Sequence, residues 1–201
     1  IVHGFFQAGI YKTALIIGAE TLSKVTDWTD RGTCVLFGDG AGAAVLKAEE
    51  TGVVDMLMGS DGTKGPILSC TSRTLGNFLT GTRPELGLMT MDGQEVFRFA
   101  VKKVPESIEI LLERNHISRE EIKYYVLHQA NERIVEAAAR RLKEPMEKFP
   151  MTISKYGNTS SASIPLLLND MAEKNMLQPG DKIILSGFGA GMTWGAVLME
   201  W

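Results

Sequence analysis

Phe37-Gly38-Asp39-Gly40-Ala41-Gly42-Ala43-Ala44-Val45-Leu46 is answered near the end of the chain by Phe188-Gly189-Ala190-Gly191 and then Gly195-Ala196-Val197-Leu198. Each copy follows an apolar strand with a glycine turn and returns as a second apolar strand. A repeated strand–turn–strand unit points to two duplicated α/β halves related by a pseudo-twofold axis. Neither glycine run is a dinucleotide fingerprint, because a strand rather than a helix follows it. The boundary falls near residue 50: residues 1–50 close a first half and residues 51–201 form the second.

Working outward, residues 1–9 read as the end of a helix closed by Gly9. The chain opens abruptly on Ile1-Val2-His3-Gly4-Phe5-Phe6, with no cap and no initiator Met, which predicts an absent N-terminal portion. Residues 13–17 and 33–37 are continuous apolar runs, expected as strands covered on both faces. On that reading Cys34 is a core thiol, while Cys70 lies in a loop where reactivity stays open. Residues 38–42 read as a tight turn, 43–46 and 53–58 as strands, and the Gly/Thr/Ser/Pro-rich stretch 59–91 as loop.

The second half carries clearer periodicity. Val96, Phe97, Ala100, Val101, Val104, Ile108, Leu111 and Leu112 repeat at helical spacing, so residues 93–114 form a long amphipathic helix, kinked or divided at Pro105. Ser118-Arg119-Glu120-Glu121 is a capping box. A strand over 124–127 ends at His128, helices follow at 132–143 and 159–174, and strands at 182–186 and 193–200 flank a glycine turn at 187–191.

Composition narrows the function. A hydrophobic fraction of 44% with 21 glycines suits a compact α/β protein with tight turns. A net charge of −3 gives no global pull toward nucleic acid, so an anionic partner would need a local basic patch. No apolar run reaches the roughly 18 residues that span a bilayer, and no signal peptide is visible. His3, His116 and His128 lack ligand spacing and the two cysteines lie far apart, so no metal site is expected.

His128-Gln129-Ala130-Asn131 and Gly157-Asn158-Thr159-Ser160 set one His and two Asn at segment ends, where functional groups gather in open α/β sheets. Each has a plain structural alternative: a satisfied His, an N-cap at Asn131, a turn residue at Asn158. Together they suit another task, since a neutral imidazole and a carboxamide can each donate to one developing thioester enolate. Phe188, Gly189, Ala190 and Gly191 either present backbone N–H groups to an oxyanion or simply form a strand turn. Arg133, Arg140 and Arg141 share a helix face, read as a solvated surface or as a dock for an acidic carrier.

The chain resembles the β-ketoacyl-[acyl-carrier-protein] synthase III family, whose members start type II fatty acid synthesis. The resemblance rests on Thr29-Asp30-Arg31-Gly32-Thr33, on Phe37 to Ala43, on the two His/Asn motifs, and on the segment from Phe188 to Trp194. It implies a thiolase-like fold, layered αβαβα with two pseudo-symmetric halves, the N-terminal one truncated here. It also implies a homodimer in the cytoplasm, with acyl-CoA and malonyl-acyl carrier protein as substrates and no cofactor beyond the coenzyme A thioester. Nucleic acid and membrane are not expected partners.

By resemblance, His128 and Asn158 are two members of a Cys-His-Asn triad. Asn131 lines the pantetheine arm, Arg31 contacts the adenine end of coenzyme A, and the loop at Phe188, Gly189, Ala190 and Gly191 completes an oxyanion hole. Arg133, Arg140, Arg141 and Arg98 form the carrier-protein face. Neither Cys34 nor Cys70 matches the nucleophile, which the family carries just ahead of the helix that opens this chain; the chain alone is expected to be inactive. Phe78, Leu79, Met89, Met91 and Phe97 are candidates for the acyl-pocket wall. The alternatives are a polyketide or quinolone starter synthase of the same fold, or a non-catalytic thiolase-fold fragment.

Overall fold

A computed structural model describes residues 1–71, 75–84 and 87–201; part of the loop expected over 59–91 lies outside the described residues. The chain opens with a short helix, α1 (Val2–Gln7), released by Gly9 at φ +68°. Strands β1 (Thr13–Glu20) and β2 (Gly40–Lys47) pair antiparallel, from Thr13 opposite Lys47 to Glu20 opposite Gly40. Strand β3 (Val53–Ser60) follows, then the short pair β4 (Leu68–Cys70) and β5 (Met89–Met91), then α2 (Gly93–Arg114). The remainder runs β6 (Ile122–Leu127), α3 (Glu132–Leu142), α4 (Ile153–Tyr156), α5 (Ser163–Glu173), β7 (Lys182–Gly189) and β8 (Thr193–Glu200).

The main sheet has the order β3-β8-β7-β6, with β6 and β7 parallel and the other pairs antiparallel. One face carries α2 and α3. Val104, Ile108 and Leu111 of α2 and Val135, Ala138 and Leu142 of α3 pack onto Tyr125, Ile184 and Leu198. Ile108 and Leu111 are fully buried, each contributing about 1.5–3 kcal/mol of hydrophobic stabilisation. The other face carries α5, where Leu167 and Met171 meet Val126 and Ile183. On its far side α5 packs against β2. The layers therefore run helix, sheet, helix, sheet, with the central helix shared by two sheets.

Several expectations change. Residues 33–36 form a turn and Phe37 an isolated bridge, not a strand. Asp30 causes this: its carboxylate accepts from the Gly32 amide (2.8 Å) and the Thr33 hydroxyl (2.7 Å), and its carbonyl from the Cys34 amide (2.9 Å). These local bonds take the groups a ladder would need. Cys34 is accordingly half-buried in a turn rather than part of a core strand. The 38–42 turn is shorter than expected, because β2 already starts at Gly40. Similarly, β7 runs on to Gly189, which confines the later turn to 190–192. Strand β1 is not covered on both faces: Leu15 and Ile17 are 61% and 62% exposed. Only its inner side meets another layer, where Gly18 lies so close to Ser161 that a Cβ would sit 2.7 Å from its carbonyl oxygen. The stretch 59–91 also contains β4, β5 and a 3₁₀ segment at Gly62–Ile67.

Pro105 does not divide α2, which is continuous from Gly93 to Arg114. A mid-helix proline leaves the carbonyl four residues back without its N–H partner. That acceptor is Val101 O, and the Arg141 guanidinium of α3 donates to it at 3.4 Å. The gap in one helix is thus filled by the next.

Candidate active site

Strand β6 delivers His128. The His128 amide donates to Ser186 O (2.8 Å), which extends the β6–β7 pairing one residue past the strand end. Gln129 then locks the turn: its side-chain amide donates to Leu127 O (2.8 Å), and its Oε1 accepts from the Thr152 amide (2.9 Å). The His128 ring meets Phe188 edge-on, with centroids 5.4 Å apart at 74°. Nδ1 lies 2.6 Å from the Ser163 hydroxyl. Burial pushes the imidazole down from its ordinary 6.5 to about 4, so it is neutral at pH 7.

Asn158 comes from the other direction and is pinned by backbone. Its amide donates to Leu36 O and its carbonyl accepts from the Gly38 amide, both at 2.9 Å, an isolated parallel bridge between Phe37 and Asn158. Glycine at 38 is required for this approach, because a Cβ there would lie 2.1 Å from Tyr156 O. The Asn158 Oδ1 accepts from the Ser160 amide (3.0 Å). With Oδ1 engaged, the amide nitrogen is the edge left for a ligand. Asn131 has its structural role too: Oδ1 accepts from the Arg133 amide (2.9 Å) as the N-cap of α3.

These residues share one cavity of about 410 Å³. His128, Asn131, Asn158, Phe188, Gly189 and Ala190 form its polar end, and Leu68, Met89, Met91 and Phe97 lie along its apolar wall. Cys70 lines it as well. A second, open cavity of about 720 Å³ meets the first at His128, Ser160, Phe188 and Gly189. Phe78 and Leu79 are not wall residues: they are 99% and 92% exposed. They sit at the tip of a tight hairpin closed by reciprocal backbone bonds between Asn77 and Thr82, which carries them away from the body.

The arginines separate. Arg133 lies over the Phe97 ring, 5.5 Å from its centroid, and so stands beside the cavity wall. Arg140 pairs with Glu136 (3.7 Å), Arg98 pairs with Glu95, and Arg141 is held by Val101 O. Arg31 is exposed on the Asp30 turn and does not line the cavity, though Gly32 beside it does. Gly191 likewise lies outside the cavity lining, at φ +127° in the turn. Among the described residues no cluster of His, Cys, Asp or Glu has the make-up of a metal site, and no helix is long and apolar enough to cross a membrane.

Ser163 and Gln129 were not identified from sequence. Ser163 reaches His128 across 35 positions, a contact no local pattern carries. Its one signal is its place in the run of small residues entering α5. Gln129 was visible only as a polar residue inside the His128 motif.

Two family models match the chain. One described as 3-oxoacyl-[acyl-carrier-protein (ACP)] synthase III covers residues 1–62, and its C-terminal counterpart covers residues 112–201. Among curated proteins, the chain is 50% identical to the β-ketoacyl-[acyl-carrier-protein] synthase III of Clostridium novyi (strain NT), covering 100% of this chain and 63% of that protein. It is 46% identical to that of Clostridium acetobutylicum, covering 98% and 61%. Among solved structures, the 3-oxoacyl-[acyl-carrier-protein] synthase III of Aquifex aeolicus VF5 superposes with a TM-score of 0.90 at 38% identity, over 100% of this chain and 61% of that one. A priming β-ketosynthase of the R1128 polyketide pathway superposes at 0.84 with 30% identity, over 98% and 59%. The chain thus spans about three fifths of the length of these relatives.

Proposed function

The chain belongs to the 3-oxoacyl-[acyl-carrier-protein] synthase III family, and from that premise we propose that its cavity serves the decarboxylating half of a Claisen condensation. The substrates are a malonyl thioester on acyl carrier protein and an acyl-CoA primer. The product is a 3-oxoacyl-carrier thioester that starts fatty acid synthesis. One observation supports this best. The cavity joins a neutral imidazole to a carboxamide whose oxygen already accepts from the Ser160 amide, so each group has an N–H that it can offer to a ligand.

The chemistry follows from where charge develops. When the malonyl carboxylate leaves as carbon dioxide, its electron pair moves into the thioester carbonyl. His128 and Asn158 each donate a hydrogen bond to that oxygen and stabilise the enolate. A neutral His128 suits the step, because an imidazolium would quench the carbanion by protonating it. The enolate carbon then attacks the primer's acyl carbonyl, whose oxyanion meets a backbone N–H at the Gly189–Ala190 end of β7, which lines the cavity. Met89, Met91 and Phe97 offer an apolar wall to the acyl or pantetheine chain. Arg133 beside that wall receives the acidic carrier.

A homodimer in the cytoplasm belongs to the same reading. The exposed apolar side chains of β1–β2 support a further packing layer, and substrates on coenzyme A and carrier protein place the reaction where those carriers are kept. A polyketide starter role is the second reading, supported by the priming β-ketosynthase likeness; malonyl decarboxylation is common to both, and turnover with different acyl-CoA primers separates them.

The decarboxylation step asks for no thiol, so in a complete protein that carries this chain it can be assayed apart from acylation. Carbon dioxide release from a malonyl thioester should fall on the order of a hundredfold or more in His128→Ala and in Asn158→Ala, the usual cost of one such donor. Unchanged release in either variant removes the residue from the mechanism.

A further inference from the structure

Ser163 Oγ has two polar neighbours, one of them a ring nitrogen of His128. The Gln129 amide donates to Oγ at 3.4 Å, and His128 Nδ1 lies 2.6 Å away. A backbone N–H can only donate, so it fixes Oγ as acceptor on that side. Among the described residues no carbonyl or carboxylate accepts from Oγ. Among the described protein atoms the acceptor within reach of the hydroxyl proton is the lone pair of Nδ1, at 2.6 Å. Ser163 is itself buried, at 2% exposure, and leads α5, so its position is set by the helix packed between the two sheets.

We infer that Ser163 is a positioning residue that holds His128 as the Nε2–H tautomer, its free N–H pointing away from α5 into the cavity. The inference rests on the decarboxylation reading for its consequence, but not for its geometry. The relay runs Gln129 N–H to Ser163 O–H to His128 Nδ1, so a backbone amide of the histidine's own motif orients the hydroxyl that orients the ring. Without the hydroxyl, Nδ1 loses its partner at 2.6 Å, and the ring can flip or change tautomer. The donor toward a thioester oxygen would then be present only part of the time.

The test uses the protein labelled with nitrogen-15 at histidine. Two-bond proton–nitrogen correlations report which ring nitrogen of His128 carries the proton, with no substrate present. Wild type should show a protonated Nε2 and a bare, hydrogen-bond-accepting Nδ1. Ser163→Ala should lose that signature, and carbon dioxide release from a malonyl thioester should fall about tenfold in kcat with little change in KM, as expected for one lost hydrogen bond. Ser163→Thr keeps the hydroxyl and should restore both. A proton on Nδ1 in wild type overturns the inference, as does Ser163→Ala retaining the wild-type ring signature. If the signature changes while the rate does not, Ser163 keeps its role and the decarboxylation reading fails instead.

Discussion

Acidification tests the environment of His128 directly. Its imidazole titrates near 6.5 in the unfolded chain but only near 4 when folded, because burial disfavours the charged ring. Between those values the unfolded state binds the proton and the folded state refuses it, so stability falls as pH drops from 6.5 toward 4 and levels off below. At about 1.36 kcal/mol for each pH unit the full gap is worth about 3 kcal/mol; partial contact with cavity water brings it to roughly 2–3 kcal/mol. Urea denaturation across pH 4–8 on wild type and His128→Gln isolates this contribution, since the carboxylates titrate alike in both and cancel in the difference. The difference should be constant above pH 7 and shrink by roughly 2–3 kcal/mol on the way to pH 4. A flat difference, or a ring proton of His128 titrating near 6.5 in the folded protein, refutes the account of a neutral, largely desolvated imidazole.

Two further substitutions probe the frame around the site. Gly38→Ala places a Cβ 2.1 Å from Tyr156 O and must part the Phe37–Asn158 bridge, costing about 2–4 kcal/mol in chemical denaturation; a wild-type midpoint would show that Asn158 is held by something else. In a complete protein that carries this chain, Arg133→Glu should raise KM for malonyl-carrier far more than for acyl-CoA while leaving the melting temperature in place, and equal effects on both would count against the carrier-docking reading. Arg141→Glu should instead lower stability by about 1 kcal/mol, since it strips Val101 O of its donor.

What was legible in the sequence had a local cause. Helix α2 is written in eight apolar residues at helical spacing, and the ends of β6 and α3 in the turn and cap residues between them. The His128 and Asn158 motifs could be read because each sits where one element stops and another starts. The misread segments failed where two local causes compete. Residues 33–37 have a strand's composition, but Asp30 captures the amides of Thr33 and Cys34 first. Strand β1 has the apolar run of a doubly covered strand, yet whether a face is covered depends on what packs there and not on the strand's own residues. Ser163 was hidden for a related reason: its partner is brought to it by the stacking of α5 on the sheet, and nothing around Ser163 encodes that distance.

The link between Pro105 and Arg141 changes how the basic face should be counted. Arg133 rests on an aromatic ring, and among the described residues no hydrogen-bond partner holds its guanidinium back from an incoming anion. Arg141 faces an exchange: to grip a carboxylate or phosphate fully it must release Val101 O, and α2 would then carry an unsatisfied acceptor at its weakest turn. Arg140 must likewise be shared with Glu136. Three arginines on one helix are therefore not three equal handholds. On the proposed carrier-docking reading, the grip should be strongest at the end nearest the cavity and decline toward the end that holds two helices together.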